Sequence, residues 1–219
     1  VGSEMCIRDR NAIVGFSNIL ALDDELNQEE RLEYIGSINK NSDLLLKLIN
    51  DILELSRIES GYMSFEYEKC LVSDLIHSIY TTHQMLIPEQ LEFIKELDTA
   101  QVEVMVDKGR LTQVLTNFLN NASKFTKVGH IKLGYRYLSD EDKVAIYVED
   151  TGRGIAQSEQ KMIFSRFYKQ DEFSQGAGLG LSICRMIIEK IGGEIGVTSE
   201  FGKGSTFYFI IPCTDCLLY

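Results

Sequence analysis

No stretch of the sequence approaches the ~18 consecutive apolar residues of a membrane-spanning helix, so no span is expected within its 219 residues. The first residues carry no apolar core of a secretory signal, so none is expected either. Cationic excess is also missing. Against 33 acidic residues stand only 22 basic ones, a formal net charge of −11 that repels polyphosphate backbones and argues against nucleic acid as a partner. Paired cysteines are absent: Cys6, Cys70, Cys184, Cys213 and Cys216 are odd in number and scattered. The one C-x-x-C, Cys213 with Cys216, has neither a second ligand pair for zinc nor a thioredoxin-like context. Reduced thiols of a cytoplasmic compartment are the expectation. Internal repeats and low-complexity runs are lacking too.

What is present is a globular balance, 44% hydrophobic and 25% charged residues, in a length that suits one ordinary domain, or a small helical unit plus a larger domain. Ile13, Phe16, Ile19 and Leu20 predict a helix over residues 11–22, with Asp23, Asp24 and Asn27 supplying turn and capping chemistry. A longer helix is predicted over 28–60. There Ile35, Ile38, Ser42, Leu45, Ile49, Ile52 and Ser56 step alternately by 3 and 4, a heptad-like seam that Leu46, Leu48, Leu53 and Leu55 widen. So wide a face on a two-helix hairpin calls for a second hairpin, and a dimeric four-helix bundle covers it economically. Packing on the chain's own domain is the alternative. Gly61 ends the helix. Strands are then predicted at 64–70, 91–97, 102–106, 130–138, 143–149, 194–199 and 205–211, and helices at 73–86, 107–125 and 180–191, with Pro88 breaking the chain. The fold class expected is α+β: a helical hairpin, then an α/β sandwich with helices on one face of a mixed sheet.

Three motifs stand in order along that second part. In LTNFLNNASKFT, residues Asn117, Asn121 and Lys124 share one helix face, where amide oxygens suit a hydrated Mg²⁺ and an ammonium suits phosphate. A solvated stripe opposite Val114, Leu115, Phe118 and Leu119 is the plainer reading of the same spacing. The run DTGRGI follows a strand: Asp150 can accept a hydrogen bond from an exocyclic amine, and Gly152 and Gly154 let a flat base approach the backbone. A common Asp-Thr-Gly turn is its plainer reading. The third run, GAGLGL, leads into a helix, and its backbone N–H groups favour a phosphate chain.

Together these runs resemble a known family. LTNFLNNASKFT is similar to the N box of sensor histidine kinases, DTGRGI to their G1 box, FSRFYKQ to their F box and GAGLGL to their G2 box. The terminal GKGSTFYFIIP resembles the strand pair closing the same domain, so the likeness spans about residues 11–212. It implies the Bergerat (GHKL) ATP-binding fold, with ATP and Mg²⁺ bound. By position, Asn121 would hold Mg²⁺, with Asn117 and Lys124 near the phosphates. Asp150 would read the adenine amine in a pocket shaped by Gly152 and Gly154. Gly176, Gly178, Leu179 and Gly180 would form the lid and phosphate wrap, and Phe164 and Phe167 would anchor its base. The likeness further implies a homodimer through the hairpin, a response-regulator receiver domain as partner, no membrane contact in this stretch, and a cytoplasmic location, alone or as part of a membrane-anchored receptor. Gyrase-type, mismatch-repair and chaperone ATPases share the fold and resemble one another in a glutamate base four residues before the metal-binding asparagine. Asn117 stands there, which favours transfer over hydrolysis. A GHKL-type ATPase and a non-phosphorylating dimerisation module are the alternatives.

The family's acceptor box, His-Glu-x-Arg-Thr-Pro-Leu-Asn, joins this sequence only at Asn11. Glu4 occupies the acceptor place, and Met5, Asp9 and Arg10 the places of the acid, proline and leucine. No catalytic histidine is therefore identifiable. One reading is a degenerate kinase that binds ATP without accepting phosphate. The favoured one is that VGSEMCIRDR and the terminal CLLY, which resemble translated adapter read-through, are not native, so residues 1–10 and 214–219 are expected to be non-native. The expected domains are then the partial hairpin at 11–61 and the ATP-binding domain at 62–213. His77, His83 and His130 lie off the hairpin and are expected to be structural.

Overall fold

The computed structural model describes residues 2–22, 26–169 and 178–217. The described chain falls into two compact units. One holds the hairpin through Met63 together with the stretches at Ser165 and Gly180, and the other holds Ser64–Phe164 and the chain from Leu181 onward.

In the first unit, α1 (Gly2–Leu22) and α2 (Gln28–Glu59) pack side by side, with Phe16 and Tyr34 stacked at 5.5 Å between ring centroids. Helix α1 begins upstream of residue 11, the start predicted from periodicity. Asn27 opens α2 with a reciprocal capping box: its Oδ1 accepts from the Glu30 N–H at 2.9 Å, and Glu30 Oε2 accepts from the Asn27 N–H at 3.0 Å. Asp23 and Asp24, the other expected turn residues, lie outside the described residues. The helix stops where the Ser60 N–H donates to the Ser56 carbonyl at 3.0 Å and Gly61 turns to φ 73°. Leu48, Leu55 and Ile58 are buried, but the seam residues Ile49 and Ile52 remain 46% and 42% exposed.

The second unit comprises β1 (Glu68–Leu71), α3 (Val72–His83), β2 (Leu91–Glu96), β3 (Gln101–Val106), α4 (Lys108–Phe125), β4 (Gly129–Leu138), β5 (Lys143–Asp150), α5 (Gly180–Lys190), β6 (Glu194–Glu200), β7 (Gly204–Pro212) and β8 (Asp215–Leu217). The strands form two sheets where one was expected: β2-β4-β5-β7-β6, and a smaller β1-β3-β8. Asp98 lies between β2 of the larger sheet and β3 of the smaller. Its carboxylate accepts from the Ala100 N–H at 3.1 Å and from the Tyr137 N–H of β4 at 2.9 Å, which fixes the turn between the two strands. Strand β2 runs parallel to β4, while every other pairing is antiparallel. The sequence reading set residues 214–219 apart from the domain; here Asp215–Leu217 pair with β3.

The core explains why α4 sits where it does. Leu111, Val114, Leu115, Phe118, Leu119 and Ala122 recur at helical spacing and are all buried. Phe118 meets Phe207 at 5.5 Å and Phe209 at 6.3 Å, both from the inward face of β7. Each such side chain contributes about 1.5–3 kcal/mol when fully buried. The opposite edge of α4 is left to polar residues. The β5–β7 register sets Asp150 opposite Ser205 at the end of the sheet, beside the C-terminal end of α4.

Candidate nucleotide site

Asp150 is the last residue of β5 and only 6% exposed. Its Oδ1 accepts from the Gly152 N–H at 2.8 Å and from the Thr126 hydroxyl at 3.5 Å, and the Ser205 main chain also donates to the carboxylate. Burial pushes the carboxyl pKa above the ordinary aspartate value, and the Gly152 and Ser205 N–H groups pull against that shift. A buried carboxylate with donors on one side and acceptor capacity left on the other suits a ligand amine.

The glycines flanking it are required by close contact. A Cβ on Gly152 would fall 2.6 Å from the Phe125 carbonyl oxygen. Gly154 adopts φ 68°, and a Cβ there would fall 2.1 Å from the Glu200 carbonyl oxygen. The loop after Asp150 is thereby laid flat between the end of α4 and the β6–β7 turn.

On α4, Asn117 and Asn121 are half-buried and Lys124 is exposed, the graded edge expected of residues that share one face. The Asn117 amide donates to Cys184 Sγ of α5 at 3.2 Å. Lys124 Nζ lies 5.1 Å from the Phe125 ring centroid. Among the described residues no group of three or more His, Cys, Asp or Glu could hold a metal. A divalent cation here would draw on amide oxygens, water and the nucleotide's own phosphates, the coordination that Mg²⁺ favours. The donor set fits that ion.

Phe164 is buried and meets Phe207 edge-on at 6.5 Å, within the second unit's core. Phe167, with φ 59°, and Gly178 belong to the first unit. A Cβ on Gly178 would fall 2.6 Å from the Tyr168 carbonyl oxygen. Leu179 is fully buried and Gly180 opens α5; Gly176 lies outside the described residues. The structure thus brings the N-box and G1-box residues together through Asp150, Thr126, Phe125 and Gly152. Residues not anticipated from sequence are Ser205, whose place opposite Asp150 depends on strand register, and Cys184, whose contact with Asn117 depends on how α4 and α5 pack. Thr126 was in view as the last letter of its motif.

The family of histidine kinase-, DNA gyrase B- and HSP90-like ATPases matches residues 106–215, and the His Kinase A (phospho-acceptor) domain matches residues 11–61. The chain belongs to the sensor histidine kinases. It is similar to the autoinducer 2 sensor kinase/phosphatase LuxQ of Vibrio vulnificus, 32% identical over 212 residues that make up 92% of this chain and 24% of that protein. The sensor histidine kinase GacS of Pseudomonas protegens is 36% identical over 212 residues, 90% of this chain and 22% of its own length. The chain therefore spans a quarter or less of these relatives. Among solved structures, full-length ShkA in complex with AMPPNP superposes with a TM-score of 0.75 at 27% identity, covering 97% of this chain and 46% of that one. The complex of ThkA with the response regulator TrrA gives 0.75 at 28%, covering 97% and 60%. No helix among the described residues is long and apolar enough to cross a membrane.

Proposed function

We propose that this chain is the ATP-binding catalytic core of a kinase that moves the γ-phosphoryl group of ATP to a histidine and thence to a response-regulator aspartate. Asn117 carries the reading. It stands four residues before Asn121, where ATPases of this fold place a glutamate base, and its amide donates to Cys184. An amide cannot take a proton from water, so nothing at that position favours hydrolysis over transfer.

In this reading Asp150 accepts from the adenine amine, and Gly152 and Gly154 keep the pocket wall free of side chains. Asn121, aided by Asn117, offers amide oxygen to Mg²⁺, and Lys124 offers its ammonium to the phosphates. Phe164 and Phe167 anchor the lid, and Gly176, Gly178, Leu179 and Gly180 wrap the phosphate chain. When bound, Mg²⁺ neutralises charge on the phosphoryl oxygens. The domains proposed are the hairpin at 11–61 and the nucleotide domain at 62–213, with 1–10 and 214–219 as non-native ends. The place of action is the cytoplasm, where a receiver domain is the partner.

The chain is expected to show negligible multiple-turnover ATPase activity, since a positioned general base is worth about 10²–10⁴-fold. Steady phosphate release measured with and without Asn117→Ala checks this. Robust release that the substitution leaves untouched would place the chain among the hydrolases.

The exposed seam of α2 is proposed to pair with a second copy. Ile49→Lys combined with Ile52→Lys is expected to convert a dimer to a monomer in sedimentation, because burying unpaired ammonium groups in a bundle is costly. ATP affinity should remain near wild type. A dimer that persists in the double variant would point to a different surface.

A further inference from the structure

We propose that Arg153 is a phosphate-binding residue of the nucleotide pocket, its guanidinium held on the Phe125 ring to receive an oxyanion of the bound nucleotide. The proposal rests on the nucleotide reading of the Asp150 site and adds to it a cation that the resemblance did not assign.

The backbone beneath Arg153 is fixed on both sides. The Gly152 N–H donates to Asp150 Oδ1 at 2.8 Å, and the Arg153 carbonyl accepts from the Gly202 N–H at 2.7 Å. Gly154 is pressed against the Glu200 main chain. The side chain therefore leaves from a defined point three residues beyond the base-reading carboxylate. Its Cζ lies 4.5 Å from the Phe125 ring centroid. Lys124 Nζ lies 5.1 Å from the same centroid. The Arg153 guanidinium and the Lys124 ammonium thus both approach one ring.

The chain carries 33 acidic residues, yet among the described residues no carboxylate lies within ion-pair distance of this guanidinium and no hydrogen bond engages it. A guanidinium stacked on an aromatic face keeps its five N–H donors in plane and available, the geometry that meets an oxyanion in a fork. A phosphate reaching the Phe125 ring would meet that fork. The ring acts as the shelf that keeps the long side chain from wandering.

The test is competition against a fluorescent ATP analogue, with ATP, ADP, AMP and adenosine as competitors, in the wild-type chain, Arg153→Gln and Arg153→Lys. In Arg153→Gln, affinity for ATP is expected to fall about tenfold, the scale of a lost charge-assisted hydrogen bond. Adenosine should shift by less than about twofold on the same scale. Arg153→Lys should recover part of the ATP loss, and the salt dependence of ATP binding should flatten in Arg153→Gln. Thermal melting of the nucleotide-free variants should match wild type. An equal loss for ATP and adenosine would overturn the proposal, since the residue would then only shape the loop. Unchanged ATP affinity in both variants would overturn it as well. A wild-type chain that binds none of the four ligands would instead bring down the nucleotide reading itself, and this inference with it.

Discussion

Asp150→Asn is expected to weaken Mg²⁺–ATP binding by about 1–3 kcal/mol, roughly ten- to a hundredfold, while leaving the nucleotide-free protein at least as stable. The two halves have one cause. A carboxylate offers two acceptor oxygens, and the Gly152 and Ser205 N–H groups and the Thr126 hydroxyl already draw on it. With asparagine the single oxygen goes to those donors, and the remaining –NH₂ faces the adenine amine, donor against donor. Stability moves the other way. Burial raises the Asp150 pKa, so its stabilising contribution is complete below the ordinary aspartate value and is lost as pH rises through the raised one. Asparagine has no anion to bury. The melting temperature of the variant relative to wild type should therefore climb between acid and neutral pH. Calorimetry reads the first half and melts across pH the second; wild-type affinity in the variant would reject the base-reading role.

That opposition between binding and stability could not be read from the letters DTGRGI, although much else could. The helical hairpin, the amphipathic stripe of α4 and the polar edge bearing Asn117, Asn121 and Lys124 follow from spacing alone, because helix geometry converts sequence separation into a face. Gly152 and Gly154 were legible as positions that let a flat base approach the backbone, though not that the Phe125 and Glu200 carbonyls lie against them. Strand partners were not legible. Alternation marks which face of a strand is buried but is silent on which strand lies beside it. So the parallel β2–β4 pairing, the separate β1-β3-β8 sheet and the placing of Ser205 against Asp150 emerged only in three dimensions. Cys184 was set aside among scattered thiols for the same reason: its contact with Asn117 links residues 67 positions apart.

Incubated with γ-labelled ATP, the chain as it stands is expected to take up no acid-labile label. Glu4 occupies the acceptor's place in the sequence, and the three histidines lie elsewhere. His83 is buried with Nδ1 3.1 Å from the Ile79 carbonyl oxygen, His77 sits 2.8 Å from Lys95 Nζ, and His130 lies 3.4 Å from a Glu149 carboxylate oxygen on the sheet. Glu4→His alone should restore little. A histidine nucleophile needs a neighbouring carboxylate to orient and deprotonate its ring. It also needs a break in the helix for access, whereas α1 runs through residues 5–10 without a proline. Replacing residues 3–10 by Ser-His-Glu-Ile-Arg-Thr-Pro-Leu, with a helical turn or two added upstream, supplies all three and should give label that acid removes. The effect is all or none, which makes it the most decisive of these tests. Acid-labile label on the unaltered chain would show that another histidine accepts the phosphoryl group. Failure of the rebuilt chain to label, with ATP binding intact, would mean that the nucleotide domain has lost transfer itself, and the hairpin with its uncovered seam would then be the working part of the molecule.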